Sequence, residues 1–361
     1  MSIYIDFHVL QTVPPSCVNR DDMGSPKTAV YGGAVRARVS SQSWKHVMRE
    51  EFKQLFTEEE LGSRTKNVVE MVERKMQEVS NELEDKKRHS LAVEALEMAG
   101  IKVKPAKKDE PEKAEALFFM SNKQAKAIAE HALSLDLKAK EAKDILRADL
   151  KDNPSVDIAL FGRMAASDPT LNYDAAAQVA HAVSTHAVQN EYDYFTAVDD
   201  LQKDDNSGAA HIDTNEFNSS TLYRYATVNA SELVQMIGKD NTAETIRKFG
   251  QAFICSMPTG KQNTFANRTF PDTVYVTIRK DQPVNLCGAF EAPVRRSDNG
   301  YAEASEKALA KYADKVYARY AAKPVKAFCI GDSFGGDTVS LPLNELLSEI
   351  EKAVNAELDE G

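Results

Sequence analysis

Five basic side chains, Lys27, Arg36, Arg38, Lys45 and Arg49, fall between Ser25 and Arg49 with no carboxylate among them. Arg36 and Arg38 share one face of an alternating run. Gln42, Lys45 and Arg49 then recur at i, i+3 and i+7 on one face of a helical run. Ser40 or Ser41 is placed to cap that helix, so free backbone N–H groups are expected to open toward the same spot. Cations gathered around a helix start suit a phosphate group better than acid–base chemistry. A solvated basic face is the plainer reading of any lone pair; five convergent cations favour phosphate.

Further features are weaker. GRMAAS (162–167) follows VDIALF in a helical region: Gly162 permits close backbone approach and Arg163 offers a phosphate contact. Met164 by itself reads as core packing, with an apolar wedge as the sharper alternative. GKQN (260–263) puts Lys261 in a loop after a helix. Tyr194 and Phe195 suit stacking on bases, or plain cross-strand packing. Residues 191–205 carry six carboxylates and one lysine, a poor surface for RNA and a good one for another subunit's basic face. Lys138, Lys140, Lys143 and Arg147 make a basic helix face, solvated by default and a duplex-DNA rail in the sharper reading.

Catalysis has thin support. Walker, G-x-G-x-x-G, G-x-S-x-G and H-E-x-x-H patterns are all absent. His181 and His186, read as helical, lie five apart and diverge, so they form no metal pair. Asp21–Asp22 and Asp199–Asp200 are adjacent carboxylates of the kind that cap turns, without a convergent third ligand for Mg²⁺. Neither metal nor cofactor is expected.

These residues must be positioned by the elements around them. The first strand alternates, with Ile3, Ile5, Phe7 and Val9 on one face and Tyr4, Asp6 and His8 on the other. A polar loop (14–28) leads to the strand 34–39, where Val35, Ala37 and Val39 are expected inside and Arg36 and Arg38 outside. The helix after it lays Trp44, Val47, Met48, Phe52 and Leu55 on a core. From about 57 to 180 the chain is rich in Ala, Glu and Lys and reads as a helical insertion, broken by the charged linker 102–113. Residues 174–188 read as its last helix or as the return to the first domain. A long β-hairpin with a polar tip follows. Helix 231–257, strand 273–278, helix 304–322, strand 325–330 and a C-terminal helix complete an α+β, split ferredoxin-like pattern.

Composition bounds the rest. The 361 residues include 45 basic and 55 acidic side chains, a net charge of −10, which at first argues against nucleic acid. Residues 1–49, however, hold six basic and three acidic groups, so the remainder carries the whole deficit. No apolar run reaches the roughly 20 residues of a membrane span. The N-terminus reads as a strand and not as a signal peptide. The four scattered cysteines suggest neither zinc nor a disulfide framework, and a reducing cytoplasm is expected.

CVNRDDM, YGGAVRARVSSQSWKHVMR, VDIALFGRMAAS and YDYFTAVDDL, in this order, resemble the CasC family, the backbone subunit of the type I-E CRISPR surveillance complex Cascade. The resemblance implies an RRM-like palm (1–56, rejoined through 181–190 and completed by 223–361), helical fingers (57–180) and a thumb hairpin (191–222). It implies a non-enzymatic, cytoplasmic crRNA scaffold without a membrane role. Its partners would be the crRNA, further copies of itself, other Cascade subunits, target DNA paired with the guide, and a recruited nuclease-helicase. Asn19, Arg20, Lys27, Arg36, Arg38, Ser40, Ser41, Gln42, Lys45 and Arg49 become palm contacts to RNA, with Lys261 a further one. Arg163 and Met164 would sit beside a kinked nucleotide, and Tyr194, Phe195 and Thr196 would belong to the part of the thumb that enters the RNA strand. Lys138, Lys140 and Lys143 remain possible DNA contacts. The competing reading, from related type III backbone subunits, is a metal-dependent RNA endonuclease using Asp21 or Asp22.

Overall fold

In β1 (Tyr4–Ser16) not only Ile5, Phe7 and Val9 but also Asp6, His8 and Leu10 are fully buried. A strand covered on both faces needs helices on both sides of its sheet. The computed structural model describes residues 2–105, 111–165, 168–197 and 211–360, and shows how they are supplied.

After β1 come β2 (Thr28–Tyr31), β3 (Ala34–Val39) and α1 (Ser41–Leu55). A mainly helical run follows: β4 (Gly62–Thr65), α2 (Val68–Val79), α3 (Asp85–Met98), β5 (Val103–Lys104), β6 (Lys113–Ala114), β7 (Phe118–Ser121), α4 (Asn122–Ser134), α5 (Lys140–Lys151) and α6 (Val156–Phe161). The chain returns through β8 (Ala177–Val179) and β9 (Ala182–Ser184) to the hairpin β10 (Glu191–Ala197) and β11 (His211–Asn229). Then come α7 (Ala230–Ile237), α8 (Lys239–Cys255), α9 (Gln262–Phe265) and β12 (Thr273–Arg279). Last are α10 (Ala302–Arg319), β13 (Lys326–Ile330), β14 (Val339–Ser340) and α11 (Leu343–Glu360). Among the described residues this is a mixed α/β protein with eleven α-helices and a mostly antiparallel sheet.

Two compact units result. One joins residues up to Met48, Val179–Thr227 and Phe249 onward. Its sheet runs β14-β13-β12-β1-β11-β9-β3-β2, with β10 also paired to β11. One sheet face takes the start of α1, the end of α8, and α11. Phe7 meets Phe249 and Phe253, Arg224 lies 3.8 Å over the Trp44 ring, and Gly250 packs so closely that a Cβ would stand 2.7 Å from the Phe7 ring. The other face gathers Leu10, Tyr223, Tyr225 and Tyr275 under α10 and the turn Leu286–Phe290. Gly32 and Gly33, both at positive φ (58° and 75°), make the two-residue turn from β2 to β3, which needs left-handed backbone at both positions. The second unit, Arg49–Gln178 with Val228–Lys248, packs α2, α3, α4 and α5 around Val72, Met76, Leu96, Ile128 and Leu146.

Several expectations need correction. Alternation in β3 is real, but Val35 is 48% exposed and Arg36 fully buried, because Arg36 serves carbonyls inside the sheet domain. Residues 174–188 include no helix. Their alanines form β8 and β9 because β3 and β11 offer strand partners, and tertiary pairing overrides alanine's helix preference. His181 and His186 are accordingly not helical. The 231–257 helix is two, α7 and α8, divided at Gly238 (φ 81°), and residues 228–248 cluster with the helical unit. Asp199 and Asp200, with the rest of 198–210, lie outside the described residues, as do 106–110 and 166–167. No helix among the described residues is long and apolar enough to cross a membrane.

Burial of the polar face of β1 has a pH consequence. Desolvation pushes the Asp6 carboxyl up from 3.8 to about 6, against hydrogen bonds from Val284 N–H (2.9 Å) and Tyr225 O–H (3.0 Å) and the charge of Arg279. It pushes the His8 imidazole, 2.8 Å from the Tyr223 hydroxyl, down from 6.5 to about 3, with Arg279 adding to the effect. Asp6 therefore weakens folding as pH rises from 3.8 to 6, and His8 weakens it as pH falls from 6.5 toward 3. The two oppose one another between pH 3.8 and 6. Asp6→Asn removes one side of the balance. Urea unfolding should show the variant gaining about 3 kcal/mol relative to wild type as pH rises across that window, about 1.4 kcal/mol per unit. A pH-independent difference would contradict the raised Asp6 pKa.

Candidate nucleic-acid interface

α1 begins under tight local control. The Ser40 hydroxyl accepts from Ser43 N–H (3.3 Å), Ser40 N–H donates to Asn19 Oδ1 (2.9 Å), and Ser41 N–H donates to His181 Nδ1 (2.8 Å). The open N–H groups expected at this helix start are thus largely filled from within. A phosphate here must be held by side chains. His181 can act as acceptor because burial lowers its pKa, and Arg38 and Lys27 lower it further.

The loop before β2 is tied to itself. Arg20 bridges to Pro26, Asp21 Oδ1 accepts from Met23 N–H (2.9 Å) and Ser25 N–H (3.0 Å), and Lys27 N–H donates to the Asn19 carbonyl (2.8 Å). This holds Arg20 exposed and Lys27 half-exposed. Arg38, also half-exposed, reaches the Thr28 carbonyl only weakly (3.4 Å). From the loop before α9, more than 200 residues later, comes Lys261, at φ 46°, whose ammonium donates to Asn215 Oδ1 at the base of the hairpin. Lys261 and Arg20 both act on Cys17, pulling its thiol down against the burial that raises it. Gly260 permits this meeting, since a Cβ there would stand 2.0 Å from the Val18 carbonyl oxygen. An open cleft of about 540 Å³, lined by Arg20, Asp22, Ser43, His46 and Gly260 among others, lies beside them. The structure therefore brings together Arg20, Lys27, Arg38, Lys261 and the start of α1. Gln42 is exposed on the first turn, and Lys45 is half-buried, its pKa lowered by desolvation.

Three expected contacts are engaged elsewhere. The Arg36 guanidinium donates to the carbonyls of Ser184 (2.8 Å), Phe290 (2.9 Å) and Glu291 (3.2 Å). Arg49 pairs with Asp157 (3.1 Å), itself fixed by Ser155 Oγ and Gly62 N–H, and stacks over Phe119. Arg163, 4% exposed, donates to the carbonyls of Leu171, Leu150 and Phe119 and to Gln124 Oε1, between the rings of Phe118 and Tyr173. Arg36 and Arg163 are internal braces whose burial leaves no face for a phosphate, whereas Arg49 is tied to Asp157 but keeps 27% of its side chain exposed.

Arg163 and its neighbours explain Met164. Gly162 (φ 76°) ends α6, Arg163 pins the chain against Tyr173, and Met164 is left 81% exposed. On the hairpin, Tyr194 is in register with Thr214 and Phe195 with Asp213, with Tyr192 and Tyr194 well exposed and Phe195 39% exposed. Thr196 is in register with Ile212, but its side chain lies outside the described residues. In the helical unit Lys138, Lys140 and Lys143 are exposed, whereas Arg147 pairs with Asp168 (2.5 Å). Asn215 escaped sequence reading and His181 was weighed there only as a metal ligand, because their partners lie 46 and 140 residues away. Among the described residues no group of three or more His, Cys, Asp or Glu is arranged to hold a metal ion.

The sequence matches the family described as CT1975-like protein over residues 5–353. Two solved structures are similar over nearly the whole chain. A chain of a CRISPR RNA-guided surveillance complex in a pre-nicking state is 31% identical with a TM-score of 0.84, covering 97% of this chain and 100% of that one. A chain of another CRISPR RNA-guided surveillance complex is 27% identical with a TM-score of 0.63, covering 97% and 99%. No curated protein matches the sequence.

Proposed function

The chain belongs to the CT1975-like protein family, and from that premise we propose that it is a crRNA-binding backbone subunit of a CRISPR surveillance complex, of the type I-E Cascade kind. The observation that carries the reading is the convergence of Arg20, Lys27, Arg38 and Lys261 on the start of α1 from three separate segments. In this reading residues 1–56, 181–190 and 223–361 form an RRM-like palm, 57–180 the fingers and 191–222 the thumb. Side-chain cations grip phosphates without reading sequence, which a scaffold for varied guides requires. Copies assemble head to tail along the RNA, an arrangement that grows open filaments. Phe195 and the exposed Met164 wedge between bases at intervals, leaving stretches free to pair with target DNA. Lys138, Lys140 and Lys143 are possible contacts to that DNA, and cleavage falls to a recruited nuclease-helicase. The endonuclease alternative is weaker, because Asp21 Oδ1 already serves the Met23 and Ser25 amides.

Guide-length RNAs carrying 2-aminopurine at successive positions test the wedge. Bound to wild-type protein, they should brighten at regular intervals, where the base is unstacked. Phe195→Ala and Met164→Ala should flatten the pattern, since a base–aromatic contact is worth about 1–3 kcal/mol. Uniform fluorescence along the RNA, or a pattern unchanged in both variants, would contradict the wedge.

A further inference from the structure

Residues 307–326 hold six cations, Lys307, Lys311, Lys315, Arg319, Lys323 and Lys326, against one carboxylate, Asp314, in a chain of net charge −10. Four of the cations recur every fourth residue along α10. At 1.5 Å per residue they step about 6 Å apart along one slowly drifting face. All six are exposed. Lys307 is tied to Glu303 (2.5 Å), and the Lys315 ammonium lies 5.6 Å from the centre of the Tyr312 ring. Among the described residues Lys311, Lys315 and Arg319 make no ion pair. The opposite side of α10 is committed to the core through Leu309, Ala313 and Tyr317, which cluster with Tyr275 and Ala327. The ladder thus overlies β12 and β13, at the far end of the sheet from β2 and β3.

We propose that this outer face of α10 is a second phosphate-binding surface, separate from the guide site, and that its ligand is the backbone of duplex DNA. Cores of protein–protein interfaces are depleted in lysine and enriched in aromatic side chains, and this face has the reverse composition. Fully exposed aromatics do not interleave with the cations as a single-stranded ligand would require: Tyr312, between Lys311 and Lys315, is half-buried, and Tyr320 lies past the end of the ladder. What remains is a straight, rigid row of cations, suited to the regularly spaced charges of a duplex. The surface itself stands on the charge pattern and the packing of α10. The choice of DNA over RNA rests on the guide-RNA reading, in which the guide already occupies the other site.

The test uses purified full-length protein, wild type and a Lys311→Gln/Lys315→Gln/Arg319→Gln variant, titrated with short duplex DNA of random sequence at increasing KCl. Losing three phosphate contacts should make the slope of log K on log salt shallower by about 2.7 and weaken low-salt binding about tenfold or more. Duplex DNA should bind wild type at least as well as duplex RNA and better than polyglutamate. An unchanged slope overturns the proposal, and so does a preference for polyglutamate, which would make the ladder a protein-docking face, or for duplex RNA. RNA co-purifying with each preparation is measured alongside. Its absence from both overturns the guide reading alone. Its loss from the variant alone would place the ladder in the guide site and overturn the separate surface.

Discussion

Neutralising Arg20, Lys27, Arg38 and Lys261 together, each to Gln, should strip RNA from the protein while leaving it folded. The four side chains come from the loop before β2, from β3 and from the start of α9, and they meet around Cys17, His181 and the first turn of α1. Among the described residues none is a brace: there Arg38 makes a long contact to the Thr28 carbonyl, and Lys261 donates to the amide side chain of Asn215. Removing four phosphate contacts from a single-stranded ligand should make the salt dependence shallower by about 2.8 and weaken binding about 10²–10³-fold near 0.1 M salt. Filter binding at several salt concentrations reads both quantities, and thermal melting checks the fold. Full RNA affinity in the quadruple variant would remove this surface from consideration.

Arg163→Ala should have the opposite signature, a damaged fold of the helical unit whether or not RNA is present. The guanidinium stays charged, since burial lowers its pKa only to about 10. Three main-chain carbonyls, an amide oxygen and two aromatic faces stand in for a counter-ion. Deleting it leaves the Leu171, Leu150 and Phe119 carbonyls without that partner, at a cost of about 1–3 kcal/mol for each one left unsatisfied. Arg163→Lys should rescue little, because a single ammonium cannot serve acceptors spread around a planar fork. Urea unfolding and limited proteolysis across 49–178 measure the loss. A variant with wild-type stability and impaired RNA binding would restore Arg163 to the role of direct contact.

Local pattern carried much of the fold. The period-two runs of β1 and β12, the apolar stripe of α1 and the long helix α10 are all visible in residue spacing, because each element's burial is decided by neighbours within a turn or two. What spacing could not show is how many faces are covered. Asp6 and His8 look like a solvent face until α10, some 300 residues later, is packed over them. Arg36 looks like a surface cation because its three carbonyl acceptors belong to residues 184, 290 and 291. The alanines of 174–188 look helical because their strand partners are remote. The site divides along the same line. Lys27 and Arg38 were legible in a basic cluster and Arg20 came from the resemblance, whereas Lys261 stood alone in its loop until Gly260, packed on Val18, set it near Cys17 and Asn215. GRMA was legible as unusual, but residue type alone put the arginine outside and the methionine in the core; the arginine is internal, and the methionine is exposed, as a wedge would have to be.

The charge balance fits this division. An acidic chain discourages indiscriminate nucleic-acid binding, and its exposed cations gather on defined faces. Sequencing the RNA that co-purifies with the full-length protein, expressed alongside a CRISPR array, tests the guide-scaffold reading most directly. Short RNAs sharing a repeat-derived end with varied interiors are expected, and they should vanish with the quadruple Gln variant. Random cellular fragments, or no RNA at all, would contradict it.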